Sequence, residues 1–331
     1  MLPRISHNIY NFKKITYLIL RMTKINTSKF RDFNKEVIIE KISIAAKEIT
    51  LSNDSMTFVE RMISLSKLLM NYDLHFSSLY RIVDEKAQDP TYFAAAYIDT
   101  KDIDQALWIY RIVRLLTRYI LLYDRFFEIG NNRYKLLARR VRRSINEFLL
   151  NADDKEFLHY SIDFSLKQFW TFWKFEKVVK CRMLEGHSFS YKEIRHFNQF
   201  KSSDASIVYA RVLDARLPSF NENVSLVLHY NQALLDLLDD WQDIEDDIQE
   251  DMPNVFVMAS LEVVPYNKIK NSSRATLRKI IVDSLDSSST VPRLINEYQA
   301  TVRNIFIPGN FAFLKVLSDH HANALRRVIL P

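Results

Sequence analysis

Carboxylates crowd one stretch of this chain. Leu234-Leu235-Asp236-Leu237-Leu238-Asp239-Asp240-Trp241-Gln242-Asp243 runs on through Asp246 and Asp247 to Glu250, Asp251 and Pro253. Asp236, Asp240, Asp243 and Asp247 recur at intervals of four, three and four, and Asp239 stands four before Asp243, so on a helix they form two overlapping stripes on one side. Like charges at that spacing repel. A chain tolerates the repulsion when a cation offsets it, and Mg²⁺ suits oxygen ligands, taking a few carboxylates together with substrate phosphate oxygens. The bland alternative is a solvated acidic face. Ala233-Leu234-Leu235 and Leu237-Leu238 argue against it, because they bury the first turns of the helix while its acidic end emerges at a cavity mouth.

Elements that could carry such a site follow from composition. Three glycines and eight prolines in 331 residues are too few for a sheet-rich fold with tight hairpins. Apolar residues at 48% and aromatics at 13% supply a thick core. The expectation is an all-α helical bundle around a central cavity. Apolar periodicity predicts helices over roughly 34–50, 54–71, 74–87, 102–128, 132–151, 154–184, 190–215, 222–250, 273–286, 289–305 and 309–328, with Gly130 as a C-cap signal. No run approaches the ~20 apolar residues of a membrane span. The single Cys181 excludes an intramolecular disulfide and a cysteine-based zinc cluster. Residues 1–31 hold seven Lys or Arg and no acid, which reads as a basic, disordered extension over 1–32 ahead of one helical domain over 33–331. That arm also fits a transit peptide, or an upstream start with Met22 as the initiator.

The stretch Gln232 to Asp243 resembles the second aspartate-rich motif, DDxxD, of trans-prenyl diphosphate synthases and related class I isoprenoid synthases. Companion motifs stand in the family's order. Asp124-Arg125-Phe126-Phe127-Glu128 closes a long helix as a degenerate first motif, DRxxE, with Arg133 nine residues after Asp124. Phe200-Lys201-Ser202-Ser203 lies 38 residues before Asp239, in the position of the family's Lys-Thr pair. Lys86 to Pro90 falls where the family has GGKRxRP, but it keeps only the lysine and the proline. The resemblance covers residues 80–255.

What the resemblance implies is an enzyme in which Asp124, Glu128, Asp239, Asp240, Asp243 and Asp247 hold three Mg²⁺ ions on the diphosphate of an allylic prenyl substrate. Lys201, Arg133 and Lys86 add donors to the same diphosphate. Tyr119, Phe127, Trp170 and Phe200, with Phe126 and Trp173, line the cavity that receives the carbocation; each is also an ordinary core aromatic at helical spacing. Loss of both arginines beside Lys86 favours a terpene synthase that ionises geranyl, farnesyl or geranylgeranyl diphosphate alone. Alternatives are a trans-prenyl diphosphate synthase using isopentenyl diphosphate, a head-to-head condensing enzyme, and a non-catalytic prenyl-binding descendant. A homodimer follows from the same resemblance; the single Cys181 fits a reducing, cytoplasmic setting, with organelle targeting left open by the arm. No basic stripe with interleaved aromatics outside the arm supports nucleic-acid binding.

Overall fold

The computed structural model describes residues 35–50, 55–76, 90–150, 152, 155–203, 208–288 and 290–329. Among the described residues the chain is all-helical, with no strand. The basic arm over 1–32 and residues 77–87 of the helix predicted over 74–87 lie outside them. The chain divides into two compact units, Met1–Phe148 and Leu149–Pro331, and each is taken by itself.

In the first unit, α1 (Lys35–Thr50) packs on α2 (Ser55–Phe76) and on α3 (Thr91–Thr100), and α3 packs on α4 (Ile103–Ile129). The predicted break after residue 71 does not occur. Instead α2 runs on to Phe76, holding Tyr72 in the core, where its hydroxyl accepts from Arg111. Sequence periodicity misses α3 entirely, for a physical reason. Thr91 to Ile98 are all buried, so apolar residues surround the helix and leave no stripe to detect. The predicted bounds of α4 hold. Asp102 caps it, accepting from the amides of Asp104 and Gln105 at 2.9 and 3.1 Å, and Gly130 ends it at φ +73°. Its buried face includes Ile109, Ile112 and Leu116, and also the guanidinium side chains of Arg114 and Arg118, the former donating to the Tyr110 hydroxyl at 2.8 Å. A cavity of about 490 Å³, lined by Ser43, Lys47, Tyr97, Lys101 and Ile103, opens at the start of this helix. α5 (Asn132–Leu149) buries Ala138, Val141 and Ile145 and turns its charged side outward.

The second unit is organised on α9 (Glu222–Gln242). It is preceded by α6 (Lys155–Leu184), α7 (Tyr191–Lys201) and α8 (Ala210–Asp214). It is followed by α10 (Ile244–Gln249), α11 (Val255–Ser260), α12 (Tyr266–Lys270), α13 (Arg274–Ser288), α14 (Thr290–Asn304) and α15 (Phe313–Ile329), the last entered through a 3₁₀ turn at Gly309–Phe311. α9 packs against α7, α14 and α15, and buries Val224, Val227, Leu228, Ala233, Leu234, Leu237, Leu238 and Trp241. A helix covered on that many sides is a core element. Two predicted long helices are shorter in the structure. The one over 190–215 stops at Lys201, and the one over 222–250 breaks at Asp243, where consecutive carboxylates load the turn. α11 and α12 are too short for periodicity to register.

Candidate functional site

Lys201 is delivered by α7. The helix opens with a capping box in which Ser190 accepts from the Glu193 amide while the Glu193 carboxylate accepts from the Ser190 amide at 2.9 Å. Arg182 donates to the same carboxylate at 2.7 Å. The Glu193 carboxyl therefore titrates low, at about 2, through the Ser190 amide first and then the Arg182 guanidinium. With its start fixed, α7 presents Lys201 in its last turn, where a cation also suits the helix dipole.

There the ammonium meets α9. Lys201 Nζ lies 2.6 Å from Asp240 Oδ1, and the Asp240 side chain is 1% exposed. The other Asp240 oxygen accepts from the Val255 amide at 2.9 Å. One turn earlier, Asp236 accepts from the Ser202 hydroxyl at 2.6 Å and from Gln232 at 2.8 Å. Asn254, fully buried, donates to the Asp240 carbonyl at 2.6 Å and to the Asp247 carboxylate at 2.7 Å, while its side-chain oxygen caps α11 by accepting from Phe256 and Val257.

Charge is not balanced in this cluster. Three carboxylates, Asp236, Asp240 and Asp247, act on one ammonium. Burial works against the lysine charge, but the three aspartates together hold its pKa well above the usual range. Burial pushes Asp247 up to about 7, helped by Asp240 and opposed by Lys201 and Asn254. Burial also raises Asp236, against Lys201, Ser202 and Gln232.

Clamps hold the acidic helix end in shape. Arg278, from α13, makes a two-pronged contact with Glu245 at 2.5 and 2.6 Å and donates to the carbonyls of Trp241 and Gln242 at 2.8 and 3.1 Å, its guanidinium 5.0 Å over the Trp241 ring. Lys270 satisfies the Ile248 and Gln249 carbonyls and pairs with Asp251 at 2.6 Å. Asp251 itself sits at φ +58°, in the turn that closes α10.

Of the predicted residues, the structure therefore brings together Lys201, Asp240 and Asp247, with Asp243 acting on Asp247 through charge. Asp239 is exposed on α9, and Asp243 is half-buried at the break. Among the described residues no three His, Cys, Asp or Glu converge as a metal-ligand group; the carboxylates converge on the lysine instead. Asp124 lies near the end of α4 in the first unit, half-buried, roughly 30 Å along the helix from the cavity at Ile103. The Glu128 side chain and the whole of Lys86 lie outside the described residues. Arg133 is exposed at the start of α5.

Among the pocket aromatics, Tyr119 packs at a tilt against Tyr123 with ring centroids 4.8 Å apart, and Phe127 packs on Tyr123 and Phe126. Phe200 sits in a cluster with Phe172, Phe175 and His196, which also takes in Phe197. Trp173 is buried, whereas Trp170 is 43% exposed. Sequence reasoning missed the parts played by Asn254, Ser202 and Gln232. A signal existed for Asn254, since Pro253-Asn254 before the apolar Val255-Phe256-Val257 is a helix-start pattern.

Hard oxygen donors suit a divalent cation, and the exposed Asp239 with the half-buried Asp243 and Asp247 are among the carboxylates of this end that do not bind the lysine directly. Comparison with known proteins adds no relative: no family model, no curated protein and no solved structure matches the chain.

Proposed function

We propose that this chain is a Mg²⁺-dependent enzyme of the class I isoprenoid synthase type, a helical bundle with a central cavity that ionises an allylic prenyl diphosphate and releases diphosphate. One observation carries the reading: Asp236 and Asp240, buried on a core helix, and the half-buried Asp247 of α10 act together on a single lysine that lies where the resemblance puts a diphosphate-binding residue. Burial holds Asp236 and Asp247 back from ionising beside the one lysine, and added positive charge at that helix end would favour their charged forms.

Asp239, Asp243 and Asp247 are the residues of the second unit that would hold Mg²⁺; the resemblance gives the same role to Asp124 and Glu128 of the first unit. When bound, the metal neutralises charge on the departing diphosphate. Lys201 supplies a donor to the same diphosphate and, in its absence, rests on Asp240. Asp240 and Asn254 act as anchors, since their polar atoms are already engaged within the protein. Tyr119 and Phe127 in the first unit, and Phe200 in the second, are aromatic side chains to which the resemblance gives the role of shielding a cation from water. The absence of arginines beside Lys86 favours a single allylic substrate of terpene-synthase type over a chain-elongating synthase.

A second reading is favoured by one contact. The Lys201 ammonium already occupies the centre of the acidic cluster, as it would in a prenyl-binding protein that has lost turnover.

Incubating the purified chain with Mg²⁺ and geranyl, farnesyl or geranylgeranyl diphosphate, with and without isopentenyl diphosphate, distinguishes these. Pyrophosphate release from an allylic substrate alone, abolished by chelation, is the expected result. Release only with isopentenyl diphosphate identifies a chain-elongating synthase, and saturable binding without release identifies the second reading.

A further inference from the structure

The helix α5 carries Arg133, Lys135, Arg139, Arg140, Arg142 and Arg143 against a single acid, Glu147. At 100° per residue, Leu136, Arg139, Arg140, Arg143 and Glu147 fall within a sector of about 100°. Ala138, Val141 and Ile145, all buried, occupy the opposite side. Arg139, Arg140 and Arg143 are exposed, and among the described residues their guanidinium groups have no carboxylate partner. Lys135 leans instead over the Phe126 ring at 5.2 Å. In the middle of the arginine sector stands Leu136, 57% exposed.

An isolated charged face needs no partner, but this one combines two features. Three arginines against the single Glu147 leave the face net positive and attract an anionic surface, and a leucine at the centre of the same face gains by leaving water. Nucleic acid would use the arginines and leave Leu136 wet, and the sector holds no aromatic ring on which a base could stack. We propose that the outer face of α5 docks the protein on an anionic lipid bilayer, the arginines contacting headgroup phosphates and carboxylates while Leu136 enters the boundary between headgroups and acyl chains. The surface stands independently of the acidic cluster on α9. Arg133 is left out of it because it is assigned to the substrate.

Co-sedimentation of the full-length chain with vesicles tests this. Vesicles of phosphatidylcholine with one-third phosphatidylserine are compared with pure phosphatidylcholine for the wild type, the triple variant R139Q/R140Q/R143Q and Leu136→Ser. All four positions are exposed, and unchanged helical circular dichroism confirms folding. The expected result is selective binding to the anionic vesicles that falls about 100-fold in the triple variant, and about 10-fold in Leu136→Ser. Undiminished binding of the triple variant, as when the basic arm alone does the work, overturns the proposal. So does binding by the wild type to neither vesicle, or an arginine-dependent affinity for a short DNA duplex with vesicle binding untouched.

Discussion

Lys201 and Asp240 form an ion pair of 2.6 Å in which one partner is 1% exposed and the other 31%. Removing one side of so buried a pair leaves an uncompensated charge, which costs far more than the pair contributes. Lys201→Met should therefore destabilise the second unit by about 3 kcal/mol, read as a lower urea midpoint. Mg²⁺ should raise the melting temperature of that variant more than that of the wild type. Equal shifts in the two proteins would count against cation binding at this helix end.

Asn254 joins three elements through one side chain. Asn254→Ala removes the cap of α11, worth about 1 kcal/mol. It also strands a buried carbonyl and a carboxylate, at about 1–3 kcal/mol more. A loss of roughly 2–4 kcal/mol in chemical denaturation is expected, and Asn254→Asp should be worse because it adds a fourth charge beside Asp240 and Asp247.

The acidic end keeps its form through Arg278. Lysine reproduces its charge but not its planar fork, so Arg278→Lys should lose about 1–2 kcal/mol of stability. The same variant should raise the Mg²⁺ concentration needed for half-maximal activity, because the break at Asp243 is no longer held against α13. Metal dependence identical to the wild type would show that the clamp serves folding alone.

On the proposed function, turnover rests on Asp239, which is exposed, and on Asp124, which is half-buried. Asp239→Ala and Asp124→Ala should each abolish pyrophosphate release while leaving the circular dichroism of the helices intact. Unchanged rates in both would remove the metal assignment.

Acid stability is governed at another site. His321 on α15 is held neutral, its pKa brought down to about 3 by burial first and then by His320. The unfolded chain takes up that proton near pH 6.5, so the stability conferred by a depressed histidine is present above pH 6.5 and is lost as pH falls from there toward 3. Urea midpoints should drop over that interval, and His321→Gln should flatten the slope.

How far these features can be read from residues alone depends on burial. Asp102 and Gly130 mark the ends of α4 because capping and positive φ are local demands. Thr91 to Ile98 give no such sign, since a helix buried on all sides has no polar face to set its period. At the site, helical spacing identifies Asp236, Asp240 and Asp247 as neighbours, yet it cannot say which of them turns inward. Asp239 and Asp240 are adjacent in sequence and opposite in fate, one exposed and the other sealed under Lys201 and the Val255 amide. That difference arises from where α7 and α11 pack, which is information no single segment contains.

One amide group, that of Asn254, spans the interval back to Asp240 and Asp247. Its two bonds fix how many residues lie between the end of α9 and the start of α11, so this segment has a set length as well as a set composition. A residue added or deleted there would pull the side chain off both acceptors at once. Length variation among relatives of this chain should accordingly avoid the interval 240–254, and should accumulate in connections without such a tie.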